Sequence, residues 1–172
     1  MTNWPLQTQC DSFYGNPRGR AGQASRQWEA ANLILIAPAF PLYFLGKPCR
    51  MRVHKKTADA WMAWSEEVWK NAGKNKNVIR EWGMDNFSGA YNYRVMRGGR
   101  TLSMHAYGCA ADFDAPRNGM GDSTPHIGKY YDQIVAPFVK LGGVWGGSWD
   151  GDRDTSDERS SDGMHFQFAR LR

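Results

Sequence analysis

The chain has no stretch long and apolar enough to cross a membrane. Its most apolar run, ANLILIAPAFPLYFLG at residues 31–46, is short and broken by Pro38 and Pro41, whereas a spanning helix needs about 20 apolar residues. That run reads as a buried strand followed by an extended, proline-containing segment. Cysteine is scarce: Cys10, Cys49 and Cys109 are odd in number and far apart, which argues against a disulfide framework and for synthesis in a reducing compartment. The N-terminal MTNWPLQTQCDSFYG lacks a basic segment followed by an apolar core, so no signal peptide is expected. Despite a formal charge of +5 there is no Lys/Arg-rich block and no nucleic-acid motif. A basic surface attracts polyanions in general, but nucleic acid is not the expected partner. No internal repeat and no long linker divide the 172 residues, which are read as one domain.

What is present is aromatic. Eight Trp, seven Tyr and eight Phe suit an aromatic core, a sugar- or peptide-binding cleft, or both. Residues 55–72 place Ala58, Trp61, Met62, Val68, Trp69 and Ala72 at helical spacing, and Gly73 stops the helix. Residues 73–77 (GKNKN) read as a charged turn. In 91–96, Tyr91, Tyr93 and Val95 alternate with Asn92, Arg94 and Met96, which predicts a half-buried strand. A second helix is expected over 127–141, with Ile127, Tyr130, Tyr131, Ile134, Phe138 and Leu141 inward. Pro137 should limit its regular part, and Gly142 and Gly143 end it. The last strand, 163–169, sends Met164, Phe166 and Phe168 one way and His165 and Gln167 the other. Residues 1–30 show little periodicity and are expected to form an irregular arm wrapped on the domain. The whole reads as α+β with a small antiparallel sheet and helices packed on it.

One stretch, SMHAYGCAADFD at 103–114, is too ionisable for a plain core strand, since an unpaired buried carboxylate is costly. Strand parity puts Ala110, Asp112 and Asp114 on one face and Cys109, Ala111 and Phe113 on the other. His105, an odd seven residues before Asp112, must come from the turn around Gly108. His165, on the polar face of the last strand, completes two imidazoles and one carboxylate with an open fourth position, the donor set of a catalytic zinc site. Asp162 lies three residues before His165, with Gly163 allowing a turn, which is where a general base belongs. Ser103 is read as hydrogen-bonding near the His105 turn rather than as a nucleophile. Cys109 is read as a buried small hydrophobe, and His54 and His126 as structural or exposed. Asp114 is read as solvated or bonded to backbone. Residues 150–162 (DGDRDTSDERSSD) have the acidic density of a calcium loop without its spacing, and read as a flexible rim.

These residues carry a resemblance. SMHAYGCAAD resembles the S-x-H-x-x-G-x-A-x-D signature of the zinc D-Ala-D-Ala carboxypeptidase and L-Ala-D-Glu endopeptidase family, and DGMHFQF resembles its second element, an acid three residues before a histidine. YNYR and LGGVWGGSW are also similar to family members, and the likeness spans 53–168. The resemblance implies a hedgehog-like fold with one zinc ion in a cleft on the sheet, held by His105, Asp112 and His165, with Asp162 as catalytic base. Arg94 would hold the substrate or polarise its carbonyl, with Arg97 and Arg100 as competitors for that role, and Ser103 and Trp149 would also contact substrate. It implies a monomeric peptidase of bacterial peptidoglycan. The expected version is a phage or prophage endolysin that cuts L-Ala–D-Glu, made in the host cytoplasm and acting at the wall. A D-Ala-D-Ala carboxypeptidase is the alternative within the family. A lysozyme-like glycosidase, or a non-catalytic wall- or virion-binding module, is the alternative outside it.

Overall fold

In the computed structural model, which describes residues 3–158 and 160–171, the N-terminal region is not an irregular arm. A 3-10 turn (Gln7–Gln9) leads into helix α1 (Cys10–Tyr14), and helix α2 (Arg26–Asn32) follows, capped by Ser25, whose Oγ accepts from the Trp28 N–H. The helices escape a periodicity search because α1 buries only Cys10 and Tyr14, and α2 only Trp28. The N-terminal region is fastened to later parts of the chain. The Tyr14 hydroxyl donates to the Phe168 carbonyl at 2.6 Å, and the Trp4 indole N–H donates to the Leu141 carbonyl at 2.8 Å.

Strand β1 (Leu33–Ile36) comes next, then the hairpin of β2 (Tyr43–Phe44) and β3 (Lys47–Pro48), then β4 (Met51–His54), which pairs antiparallel with β1. The expected strand exists, but it is only partly buried: Ile36 is in the core, whereas Ile34 and Leu35, on opposite faces of a two-stranded ribbon, are both exposed. Helix α3 (Ala58–Asn71) ends ahead of Gly73 in the left-handed conformation. Its inward face is centred on Trp64, which the helical spacing had not singled out. The Trp64 ring lies 5.4 Å from Phe113, 5.5 Å from Phe138 and 5.4 Å from Phe166. The expected charged turn is present at Gly73 and Lys74, and Asn75 then caps a helix the periodicity did not announce, α4 (Lys76–Trp82), which left-handed Gly83 stops.

The central sheet contains β5 (Phe87–Gly89), β6 (Ala110–Phe113), β7 (Val144–Trp145) and β8 (His165–Gln167), ordered β5-β6-β8-β7 and antiparallel throughout. Between β6 and β7 the expected single helix is a 3-10 turn (His126–Tyr130), a π-helical turn (Tyr131–Val135) and α5 (Ala136–Lys140) in succession. Pro137 sits in the first turn of α5, where a missing N–H leaves no helical bond unmade. Residues 91–96 are not a strand. Past Gly89 the chain leaves the sheet, and only Val95 makes a bridge, to Leu102. The alternation that suggested a strand comes from Tyr91 and Tyr93 lying half-buried across the surface. The Tyr91 ring sits beside Trp28 and under Arg52.

The sheet has two unlike faces. Ala111 opposite Phe166 packs toward α3 and α5, where Trp61, Trp64 and Phe138 close the core. On the reverse face Asp112 lies opposite His165, and Ala110 opposite Gln167. The architecture is α+β, and the polar face of the two central strands is where chemistry can happen.

Candidate metal centre and its cleft

His105 reaches this face from a 3-10 turn (Met104–Tyr107) that Ser103 caps, its Oγ accepting from the His105 N–H at 3.3 Å. Gly108 then turns the chain into β6. Its φ is +67°, and a Cβ there would lie 2.7 Å from Leu33 Cδ2 and 2.9 Å from the His54 nitrogen. Only glycine fits both the conformation and the contact. Its carbonyl accepts from the His54 N–H at 2.7 Å, so the turn is anchored on β4.

Three atoms meet. His105 Nε2 is 3.1 Å from His165 Nδ1, His105 Nε2 is 3.2 Å from Asp112 Oδ1, and His165 Nδ1 is 3.0 Å from the same oxygen. The far nitrogen of each ring decides what these atoms are. His105 Nδ1 lies 2.7 Å from the Ala90 carbonyl, and His165 Nε2 lies 3.0 Å from Gln167 Oε1. An oxygen of either kind can only accept, so each far nitrogen carries the ring's proton. The Gln167 amide is oriented by its own NH2 donating to the Ala169 carbonyl at 2.6 Å. In neutral imidazoles the near nitrogens are therefore bare. Two nitrogen lone pairs and a carboxylate oxygen converge with no donor among them, an arrangement that calls for a cation or for protonated rings.

The spacing fits a metal. Edges of 3.0–3.2 Å are those of a tetrahedral face whose corners stand about 2 Å from the centre, the length of zinc bonds to nitrogen and oxygen. These three residues could hold a metal ion. When the two rings are protonated in the metal-free protein, burial acts to raise the Asp112 carboxyl, but hydrogen bonds from His105 and His165 and their charge outweigh it and hold it well below the usual range. Burial acts to lower His165, and Asp112 overrides it, with Asp162 adding to the rise.

Around the triad lies a cleft of about 410 Å³ lined by Asp162, Arg94, Arg97, Ser103, Trp149 and four methionines, Met96, Met104, Met120 and Met164. Asp162 is held by its backbone, whose N–H donates to the Gly146 carbonyl and whose carbonyl accepts from the His165 N–H at 2.9 Å. Its Oδ1 is buried and has no hydrogen-bond partner. Burial raises its carboxyl from its ordinary value; nearby Asp112 adds to the rise, while His165, His105 and Arg94 oppose it. Arg94 is exposed at the cleft, on a segment whose carbonyl accepts from the Ser103 N–H at 3.0 Å. Arg97 lines the cleft too, and Arg100 does not. Trp149 stands 5.9 Å from the His165 ring, its indole N–H donating to the Ser160 carbonyl at 2.9 Å.

Other residues fall elsewhere. Asp114 does not share the face of Asp112: β6 ends at Phe113, and Asp114 turns left-handed with φ +50°. Its buried carboxylate accepts from Arg117 Nε at 2.6 Å and from the amides of Asn86 and Asn118. The chain turns at Gly163, as the His165 N–H to Asp162 carbonyl bond shows, and glycine is needed there for closeness, since a Cβ would lie 2.3 Å from Pro125 Cβ. Met164, expected beside Phe166 in the core, precedes β8 and lines the cleft. His126 bonds the Glu81 carbonyl at the surface. Cys109 is buried, its Sγ donating to the Met104 carbonyl. In the acidic rim, Asp150 and Asp152 accept from the loop's own N–H groups, two residues onward in each case. Sequence reasoning passed over Gln167, although its place two residues after His165 on the same strand face was the signal. The Ala90 carbonyl left no signal, because any residue supplies one.

Three comparisons with known proteins bear on this geometry. Residues 97–168 match the family model described as D-alanyl-D-alanine carboxypeptidase. No curated protein and no solved structure matches the chain.

Proposed function

We propose that the chain, whose residues 97–168 match the family model described as D-alanyl-D-alanine carboxypeptidase, is a zinc-dependent hydrolase of peptidoglycan stem peptides, and within that class an endolysin cutting between L-Ala and D-Glu. The observation that carries this is the convergence of three donor-free lone pairs, from His105, Asp112 and His165, beside a buried carboxylate oxygen of Asp162 that has no partner.

His105, Asp112 and His165 are the residues that would hold the ion. Bound there, zinc would supply Lewis acidity and bring the pKa of a coordinated water down to about 7. The protein's own groups do the rest. Ala90 and Gln167 fix both rings so that each presents its bare nitrogen. Asp162, raised by burial, takes a proton from the attacking water and hands it to the departing amine. Arg94 and Arg97 offer positive charge at the cleft mouth to a substrate carboxylate or to the carbonyl oxygen as it gains charge. Ser103 keeps the His105 turn in register, and Trp149 and the methionines form an apolar wall along the peptide.

The description of the matching family favours a second reading, removal of a terminal D-Ala. Digestion of purified sacculi followed by mass spectrometry separates the two. The endolysin releases peptides that begin with D-Glu and leaves glycan bearing lactyl-L-Ala stubs. Free D-Ala as the sole product makes the chain a carboxypeptidase. New reducing ends without new amines would overturn the peptidase reading itself.

A further inference from the structure

One segment of the chain combines unopposed positive charge with exposed apolar side chains. Residues 30–58 contain Lys47, Arg50, Arg52, Lys55 and Lys56 and no Asp or Glu, five charges against a net +5 for the whole chain. The same segment holds Ile34, Leu35, Phe44 and Leu45, four of the eight exposed large hydrophobic residues among those described. Three of the cations are tied back onto the protein. Arg52 faces Glu29 at 3.8 Å, Lys55 donates to the Ala31 carbonyl, and Lys56 donates to the Phe13 carbonyl. Lys47 and Arg50, beside the β2–β3 hairpin, are exposed and in no ion pair among the described residues.

The hairpin tip is Leu45-Gly46. Leu45 is 85% exposed and sits at φ +49°, a conformation for which a two-residue turn ordinarily selects Asn, Asp or Gly. Folding gives no reason for a leucine there: it meets strain and gains no packing. Phe44 is exposed beside it. At the base of the hairpin a cleft of about 330 Å³ opens between Pro41, Tyr43, Pro48, Trp69 and Lys76. The carboxylate on this side, Asp85, whose carbonyl holds the Tyr43 N–H, is engaged by Arg80 at 3.3 Å.

We propose that this hairpin docks on an anionic lipid surface, with Leu45 and Phe44 entering the interface and Lys47, Arg50 and Lys76 facing the headgroup phosphates. Apolar tips flanked by cations suit that boundary, where acyl chains receive the one and phosphates the other. A hydrophilic wall polymer offers charge but nothing apolar to receive Leu45. The contact is small, so binding is reversible and weakens with salt.

The test is co-sedimentation of the full chain with vesicles of phosphatidylglycerol and phosphatidylcholine, and of phosphatidylcholine alone. The chain should pellet with the anionic vesicles and stay in solution with the neutral ones. Leu45→Asn and Phe44→Ser, which change no charge, should each lower the partition coefficient roughly tenfold, and Lys47→Gln and Arg50→Gln each about fivefold. Asn fits the left-handed turn, so the melting temperature of Leu45→Asn should be no lower than wild type. Failure of the wild type to pellet with anionic vesicles would overturn the proposal. So would partitioning unchanged in both apolar variants, which would mark a purely electrostatic surface for a polyanion. Neither result touches the peptidase reading, which is scored on sacculi.

Discussion

The protein buries imidazoles in two places, and the two are built to opposite ends. His54 lies between Tyr14 and Trp28, with ring centroids 4.9 Å and 5.8 Å away. Its Nε2 donates to the Tyr14 carbonyl at 3.0 Å and its Nδ1 accepts from the Lys56 N–H at 3.1 Å. The neutral ring is complete there: a second proton would point donor at donor. Burial, with Lys56 and Lys55 nearby, lowers its pKa to about 4 against the help of the Tyr14 carbonyl. His105 and His165 are equally buried, but each has only its far nitrogen satisfied. Burial alone therefore says little about whether a histidine binds a metal. What separates the two places is whether the second lone pair already has a donor.

That contrast can be broken by mutation. The largest effect is expected at the triad. His105→Ala, Asp112→Ala and His165→Ala should each lose the zinc, found by elemental analysis, and drop hydrolysis of sacculi to background, whereas His54→Gln should keep both. Full zinc content in all three triad variants would dissolve the distinction. Asp162→Asn should retain the metal while turnover falls about 10²- to 10⁴-fold, because an amide cannot take the proton. Normal turnover with zinc present would put the base elsewhere.

The next effect sharpens the other half of the comparison. With a pKa near 6.5 unfolded and about 4 folded, His54 binds more protons in the unfolded chain between those values. Stability should therefore fall as pH drops from 6.5 to 4, by about 3 kcal/mol in all. Chemical denaturation across that range should show a shallower decline in His54→Gln than in wild type; parallel curves would mean that the ring is not held neutral. The smallest expected effect is at Gln167. Gln167→Leu releases the His165 ring from its orienting acceptor, and zinc affinity, read by competition with a chelating dye, should weaken about 10- to 100-fold.

The sequence makes different parts of the molecule legible to different degrees. Helix α3 is readable because one face repeats over fourteen residues. Helices α1, α2 and α4 are only five to seven residues long, too short for a periodic signal, though Ser25 and Asn75 mark the starts of two of them as caps. The alternation of 91–96 misleads, since a surface segment half-covered by Trp28 and Arg52 has the same pattern as a strand. At the cleft, period two along β6 and β8 suffices to bring Asp112 and His165 to one face, and the Gly108 turn brings His105 to them. What periodicity cannot supply is where β6 stops, so Asp114 looks like a neighbour of Asp112 until its left-handed turn is seen. Nor does it supply the backbone carbonyl that fixes His105, because every residue has one.

The central claim is that His105 Nε2 and His165 Nδ1 are bare and share one ion while His54 is closed. Nitrogen-15 NMR of the histidine side chains, followed as one equivalent of zinc is added to metal-free protein at neutral pH, tests it directly. The account predicts that the Nε2 resonance of His105 and the Nδ1 resonance of His165 move on binding, that their far nitrogens keep their protons, and that both His54 nitrogens stay in place. Zinc that leaves those two nitrogens unmoved, or that shifts His54 instead, would contradict it.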